Sequence, residues 1–391
     1  MPTSPFVGRA EELRELRREL DTAVASGSRI ALVTGDPGVG KTRLLAEFLR
    51  AAGRRATCLL GRGSPLDTAI PFSIVVEALQ SHLRTLGAAE VSSLVGDRAH
   101  ELAALLPSVA ATIGPAADGP APSRLATLEA LAGLLKDMAR ARPLVVCLDD
   151  VHQADPSTWE FLSYLGRNPI RSPLMIAVAC RTEAVTSDQP FGASIAGLLK
   201  DGLASEVRLS PLDREEMAAL ARCALGSERA DGELASWLYD RTRGNALFAM
   251  DLLEELALDP SRRVVPISVK ERVRASVTVL DPEGRTVLEL ASVLGHTFSL
   301  RTIAGLLPEG GGSLVDGLVA QRFLVERSEG GEVSFDFVHP LVQEAIYGNI
   351  GAARRRELHL GVARRSGGEQ LAVRAYHAAR GALRGTIGRC G

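Results

Sequence analysis

The sequence is poor in lysine and cysteine, and it has no long apolar run. Only four of its 45 basic residues are lysines, and its five cysteines are widely spaced with no CxxC pair. This spacing predicts reduced core thiols rather than disulfides or zinc ligands. No stretch approaches the ~18 apolar residues of a membrane helix, and the N-terminus is charged early, without a signal-peptide pattern. We therefore expect a cytoplasmic protein with no membrane contact.

The low net charge and the absence of several catalytic motifs exclude further classes of function. The net charge is −2, which excludes a global basic field of the kind that draws a protein onto nucleic acid. The sequence has no GxSxG or HExxH motif and no clustered histidine with cysteine, so serine, cysteine and metal-centred catalysis have no support. A length of 391 residues with 46% hydrophobic and 24% charged residues instead predicts two or three globular domains.

The clearest positive signal is a glycine loop between a strand and a helix. The apolar run 29-RIALVT-34 precedes 35-GDPGVGKT-42, and the periodic stretch RLLAEFLRAA follows. This pattern predicts a phosphate-binding loop, in which the Lys41 ammonium reaches the β- and γ-phosphates of ATP and the Thr42 hydroxyl ligates Mg²⁺. The predicted nucleotide contacts in this segment are Gly35, Asp36, Pro37, Gly38, Val39, Gly40, Lys41, Thr42 and Arg43.

A second apolar strand, 143-PLVVCLDD-150, ends in two carboxylates. Neighbours on a strand point to opposite faces, so we assign Asp149 to Mg²⁺, together with Thr42, and Asp150 to the attacking water. The alternative is an aspartate-rich cap of the helix that begins near Asp155. A third strand, 173–180, ends at Arg181, which either senses the γ-phosphate as a catalytic residue or forms a surface ion pair.

Further strands at 56–63 and 206–210, with helices between them, predict a doubly wound α/β P-loop NTPase core over residues 1–210. Three short helical stretches over 211–258 predict a helical lid. Residues 259–268 are interpreted as a linker. Helices around the hairpin LVERSEGGEVSFDF follow over 269–360, and 361–391 contains the start of a further helical segment and a tail.

The order FVGR, GDPGVGKT, LVVCLDDVHQAD, ACRTE and RGNALFAMDLLEEL resembles the ATPase module of large LuxR-type (LAL, MalT-like) transcriptional regulators. These are signalling ATPases of the STAND class, within the AAA-like group. The resemblance covers about residues 6–376. It implies that Val7 and Arg9 lie near the adenine, that Ala246 replaces a lid proline close to the base, and that His339 reaches the β-phosphate of ADP.

The resemblance also implies a winged-helix domain at 269–360. Its predicted recognition helix, 313–323, has one arginine and no basic cluster, so we expect an intramolecular clamp rather than DNA binding. Residues 354–382 resemble the start of the helical repeats of LAL regulators, and a disordered tail is expected after about 382. We interpret the chain as a short or truncated form without the repeats and the helix-turn-helix.

Three functions fit the phosphate loop. The first is a regulatory ATP/ADP switch that hydrolyses slowly and self-associates when ATP is bound, in response to an unidentified effector. The second is an oligomeric AAA-type motor or loader, and the third is a P-loop kinase. The sequence shows no unambiguous arginine finger and no acceptor pocket. Asp150, a methylene shorter than glutamate, favours the slow switch.

Overall fold

A computed structural model describes residues 6–64, 70–114, 122–182, 190–259, 266–307, 312–321, 323–329 and 332–365. The chain divides into two compact units between Leu212 and Asp213, close to the predicted end of the core at 210. We call residues 6–212 the N-terminal unit and the residues from 213 onward the C-terminal unit.

The N-terminal unit is built on a five-stranded parallel sheet, which confirms the predicted α/β P-loop NTPase fold. The strands are β1 Arg29–Gly35, β2 Thr57–Arg62, β3 Leu144–Asp149, β4 Leu174–Cys180 and β5 Ser205–Leu209. Their order in the sheet is β2-β3-β4-β1-β5. Strand β4 therefore lies between the strand that leads into the glycine loop and the strand that ends in Asp149.

Alternate residues of each central strand enter two separate cores, because neighbouring side chains on a strand point to opposite faces. On β3, Val146 and Leu148 pack in one core, while Val145 and Cys147 pack in the other. A sheet that is buried on both faces explains why these strands are continuously apolar in the sequence.

Nine described helices accompany this sheet. The first two, α1 and α2, contribute to one core, and α3, α7 and α8 contribute to the other. The helices are α1 Ala10–Ser26, α2 Lys41–Ala52, α3 Ser73–Leu83, α4 Ala88–Val95, α5 Ala99–Leu105, α6 Pro107–Ile113, α7 Arg124–Ala141, α8 Pro156–Arg167 and α9 Pro190–Lys200.

The C-terminal unit combines helices with a small antiparallel sheet. Strands β6 Thr297–Ser299, β7 Leu324–Glu329 and β8 Glu332–Phe337 have the order β6-β8-β7, so the predicted hairpin is present. The described helices are α10 Arg214–Leu225, α11 Gly232–Thr242, α12 Ala246–Leu258, α13 Ile267–Thr278, α14 Pro282–Leu294, α15 Leu300–Ala304, α16 Gly312–Ala320, α17 Pro340–Asn349 and α18 Ala352–Arg365.

Side-chain caps set where several of these helices begin. Asp213, Asp231 and Asn245 each accept hydrogen bonds from backbone amides of the first turn of the following helix, α10, α11 and α12 respectively. A cap of this kind satisfies amides that have no partner inside the helix. These residues explain why the three helices predicted between 213 and 258 lie where the sequence places them.

Some predicted boundaries differ from the structure. Helix α18 runs across the boundary predicted at 360, because Gly361 is flanked by helix-forming residues that continue the helix to Arg365. Helix α13 starts inside the predicted linker 259–268, of which 260–265 lie outside the described residues. The predicted repeat beyond 365 and the predicted disordered tail also lie outside them. Among the described helices, none is both long and apolar enough to cross a membrane.

Candidate functional site

The glycine loop at 35–42 turns tightly between β1 and α2. Gly38 and Gly40 have φ values of 82° and 107°, a left-handed region that glycine enters at little cost. Gly35 is closely packed, because an added Cβ would lie 2.9 Å from the Leu209 carbonyl oxygen. The buried Val39 side chain anchors the loop in the core beneath, whereas Asp36 and Pro37 are exposed.

Lys41 is the first residue of α2 and is buried. Its Nζ donates hydrogen bonds to the carbonyl oxygens of Gly35 at 2.7 Å and Asp36 at 3.0 Å. Burial lowers the pKa of Lys41, and the charge of Asp150 opposes that shift. The ammonium is thus held over the loop, next to the first-turn amides of α2, which have no partner within the helix. This arrangement suits a phosphate chain.

Thr42 and Asp149 meet at the carboxyl end of the sheet. The Thr42 side chain donates a hydrogen bond to the Asp149 carboxylate, and Asp149 is buried at the end of β3. Burial raises the pKa of Asp149, and the bond from Thr42 opposes this. A hydroxyl beside a carboxylate fits Mg²⁺, which usually takes one or two protein oxygens and completes its octahedron with water and phosphate.

The donor set is small, as a nucleotide-bound metal requires. Within the described ranges, no group of three or more histidine, cysteine or acidic side chains is placed to hold a metal ion. Thr42 and Asp149 would hold Mg²⁺ jointly with the nucleotide.

Asp150 differs from the sequence-based picture of a strand residue. Strand β3 ends at Asp149, and Asp150 has a left-handed backbone with φ 52° and ψ 38°. Its amide donates to the Asp149 carboxylate at 3.1 Å, and its side chain is 45% exposed. The alternation of side chains on β3, from which we assigned Asp149 to Mg²⁺ and Asp150 to the attacking water, thus ends at Asp149 and does not include Asp150. The turn, rather than the strand, directs the Asp150 carboxylate.

Arg181 directly follows β4, whose last residue, Cys180, pairs with Thr34 of β1. The positive charge of Arg181 contributes to the lowered pKa of Lys41, so the two cations lie at the same end of the sheet. Burial raises the pKa of the adjacent Cys180 thiol to about 12. The structure therefore brings Lys41, Asp149, Asp150 and Arg181 together.

Known proteins resemble this chain in sequence and in fold. Residues 5–177 match the family model of the AAA ATPase domain. This segment is an AAA-type ATPase domain. An uncharacterized protein of Rhizobium meliloti (strain 1021) is 26% identical over 387 residues, which cover 91% of this chain and 36% of that protein. The chain thus spans little more than a third of that relative's length.

One solved structure shares the fold of this chain, and a second is similar to a lower degree. A Walker-type ATPase of Pyrococcus abyssi has a TM-score of 0.57 at 16% identity, with 87% of this chain and 96% of that chain covered. The Orc1 protein of Aeropyrum pernix, solved in complex with DNA, has a TM-score of 0.45 at 16% identity, with 89% and 95% covered. The fold implies nucleotide binding at the phosphate loop of the AAA-type ATPase domain.

Arg9 supports the phosphate loop from within the AAA-type ATPase domain. It has a left-handed backbone, with φ 62°, and is buried. Its guanidinium donates to Glu12 at 3.0 Å, to the Val39 carbonyl at 3.2 Å and to the Ser210 carbonyl at 2.5 Å. These bonds tie the start of α1 to the loop and to the end of β5. The predicted contacts of Val7 and Arg9 with the adenine remain predictions.

Arg43, the last predicted contact in this segment, lies in the first turn of α2. Its guanidinium is 5.7 Å from the centre of the Phe6 ring, and it lies 3.9 Å from the Glu47 carboxylate. The Arg43 side chain thus contacts Phe6, next to the predicted base-side residue Val7.

His339 caps α17 in the C-terminal unit. The Leu341 amide donates to its Nδ1 at 3.1 Å, so the proton lies on Nε2, which donates to the Thr242 carbonyl at 2.7 Å. The ring also stacks on Phe248, with 4.1 Å between ring centres. Burial lowers the pKa of His339 to about 4, so the ring is neutral at physiological pH.

Ala246 is the first residue of α12, where the resemblance expects proline. Asn245 caps the helix and accepts from the amides of Leu247 at 3.1 Å and Phe248 at 3.3 Å. The helix thus begins at the expected residue without a proline to fix the backbone.

Sequence reasoning missed Arg62. It is the last residue of β2, where it pairs in register with Asp149, and its charge acts to lower the pKa of Asp149. Its backbone amide donates to the Glu77 carboxylate at 2.6 Å. Its position near the end of the predicted strand 56–63 could have indicated that it lies close to Asp149, because the carboxyl ends of parallel strands meet at one edge of the sheet.

Proposed function

We propose that this protein is an ATP-binding, slowly hydrolysing switch, and that it is the ATPase part of a LuxR-family transcriptional regulator of the STAND class. The observation that carries the nucleotide part is the meeting of Lys41, Thr42 and Asp149 at one end of the sheet. Lys41 and the loop amides bind phosphate, and Thr42 and Asp149 hold Mg²⁺, which would neutralise charge on the phosphates.

Slow hydrolysis is supported by Asp150. Its charge acts to raise the pKa of the Lys41 ammonium, and its carboxylate is the candidate group to orient the attacking water. It is an aspartate on a turn with a half-exposed side chain. A base that is shorter and more exposed than an enclosed glutamate orients water less well, and positional errors of about 1 Å can cost ~100-fold in rate.

Switching is supported by His339. Its single ring proton is donated to the Thr242 carbonyl, so the Nε2 has to leave that carbonyl before it can donate to a phosphate of ADP. One donor with two alternative acceptors is a two-state element whose populations a nucleotide can shift. We propose that exchange of ADP for ATP changes this partner and promotes self-association.

The regulatory role is supported by the motif order of the sequence. The longer relative from Rhizobium meliloti is consistent with an ATPase module that forms part of larger chains. We propose that an unidentified effector controls the nucleotide state, and that residues 269–360 do not bind DNA themselves.

The test is to measure which nucleotide co-purifies with the protein and how fast ATP is hydrolysed. We expect retained ADP and turnover well below one ATP per second. Lys41→Ala should abolish retention, while Lys200→Ala, a change of an exposed lysine at the end of α9, should leave it unchanged. Asp150→Asn should slow hydrolysis by at least about tenfold with ATP still bound. Turnover of many ATP per second would refute the switch and favour the motor.

A further inference from the structure

Asp155 is a buried carboxylate that caps two helices at once. It is 1% exposed. It accepts hydrogen bonds from the Thr158 amide at 3.1 Å and the Thr158 hydroxyl at 2.6 Å, which caps α8. It also accepts from the amides of Phe72 at 2.9 Å and Ser73 at 3.2 Å, at the start of α3, with the Ser73 hydroxyl at 3.5 Å. The sequence predicted the first role and not the second.

The segment between Asp150 and Asp155 is a compact turn. The Gln153 amide donates to the Asp150 carbonyl, and the Ala154 amide donates to the Val151 carbonyl, both at 2.9 Å. Val151 is fully buried. Asp150 thus lies on a short turn that β3 fixes at one end and Asp155 fixes at the other.

The connection between β2 and α3 contacts the same turn at a second point. The Gly63 amide donates to the Asp149 carbonyl at 2.8 Å. A Cβ on Gly63 would lie 2.4 Å from the Asp150 carbonyl oxygen, so the two backbones are in close contact there. Gly63, just after β2, is thus joined to Asp149 and Asp150, and the start of α3 is joined to Asp155.

We infer that Asp155 is a positioning residue for Asp150, and that it makes ATP hydrolysis depend on where the start of α3 lies. This inference rests on the proposed function, in which Asp150 orients the attacking water. When the start of α3 shifts, Asp155 shifts with it, and the turn that carries Asp150 follows. The phosphate loop can thereby keep ATP bound while hydrolysis changes.

The variant Asp155→Asn separates positioning from simple capping. Oδ1 accepts from the amides of Phe72 and Thr158, and Oδ2 accepts from the Ser73 amide and the Thr158 hydroxyl. An amide has one oxygen, so its NH₂ group faces donors of both helices, and each helix start loses one bond to position 155. If Asp155 only caps helices, the variant lowers the melting temperature and leaves kcat per folded molecule unchanged. If it positions Asp150, kcat falls roughly tenfold to 100-fold, while KM for ATP and the affinity for ADP stay within about twofold.

Two further variants control the experiment. Thr158→Val removes one donor to Asp155 and keeps the carboxylate, so it should give a smaller loss of kcat and provides a test if Asp155→Asn does not fold. Asp231→Asn makes the same substitution at the cap of α11, where the carboxylate accepts from the Leu234 amide at 2.7 Å. This control should leave kcat unchanged.

Hydrogen exchange at amides 150–154 provides a readout that does not need hydrolysis. We expect faster exchange there in Asp155→Asn than in the wild type. If the wild type hydrolyses ATP and Asp155→Asn matches its kcat, the inference is wrong and the proposed function stands. If the wild type neither binds nor hydrolyses ATP, the proposed function fails, and unchanged exchange at 150–154 would then show that Asp155 does not hold the turn either.

Discussion

Substitution of Gly63 by alanine should slow ATP hydrolysis without abolishing ATP binding. The new Cβ would lie 2.4 Å from the Asp150 carbonyl oxygen and 3.1 Å from its carbonyl carbon, whereas ordinary contacts begin at 3.4 Å. Both atoms belong to the backbone, so no flexible side chain can relieve the overlap. Asp150 or Gly63 has to move by roughly 1 Å, and a displacement of that size at a reacting group can cost ~100-fold in rate.

The assay is phosphate release at saturating ATP, together with ADP affinity by calorimetry. We expect kcat to fall by one to two orders of magnitude, with the dissociation constant for ADP changed much less, because Lys41 and Thr42 belong to α2 and not to the turn that carries Asp150. Gly197→Ala in α9, where a Cβ would meet nothing within 4 Å, is the matched control. Wild-type kcat in a folded Gly63→Ala protein would refute the assignment of the water-orienting role to Asp150.

Two further predictions concern His339 and Arg9. Burial lowers the pKa of His339 to about 4, whereas an unfolded histidine binds a proton below about pH 6.5. The neutral, buried His339 ring therefore stabilises the folded state fully above pH 6.5. This stabilisation is lost as the pH falls towards 4. Urea unfolding of the C-terminal unit can be followed by Trp237 fluorescence. Between pH 6.5 and 4, the free energy of unfolding of the wild type should fall by about 3 kcal/mol more than that of His339→Gln. Equal decreases would contradict the buried neutral ring. Arg9→Met should lower the unfolding free energy by about 2 kcal/mol, because it leaves two backbone carbonyls without their buried donor. It should also weaken ATP binding. Weaker ATP binding with unchanged stability in thermal unfolding would instead indicate that Arg9 contacts the nucleotide directly.

The central parts of the site could be predicted because they depend on local patterns. A strand, a glycine loop and a helix follow one another within residues 29–52, and this order predicts where Lys41 and Thr42 lie. The pairing of Thr42 with Asp149 follows from one topological rule, because the carboxyl ends of parallel strands share an edge. The structure brings these side chains into contact.

The contacts that sequence reasoning missed join segments far apart in the chain. Asp155 bonds to amides at positions 72 and 73, and Arg9 bonds to the Ser210 carbonyl. No periodicity connects such partners, since each contact depends on how helices pack around the sheet. The end of β3 at Asp149 was missed for another reason: the left-handed backbone of Asp150 is set by the turn that follows, and aspartate is among the few residues other than glycine that enter this region readily.

The strand order has a consequence for biosynthesis. Strand β1, which leads into the phosphate loop, pairs with β4 and β5 in the described sheet, and these are translated well over a hundred residues later. At about 5–20 residues per second, the ribosome needs on the order of ten seconds or more between β1 and its partners. Until then β1 lacks the two strands that flank it in the sheet, so the phosphate loop is not held in place. We therefore expect the nascent chain to gain nucleotide affinity only after residue 209 has left the ribosome.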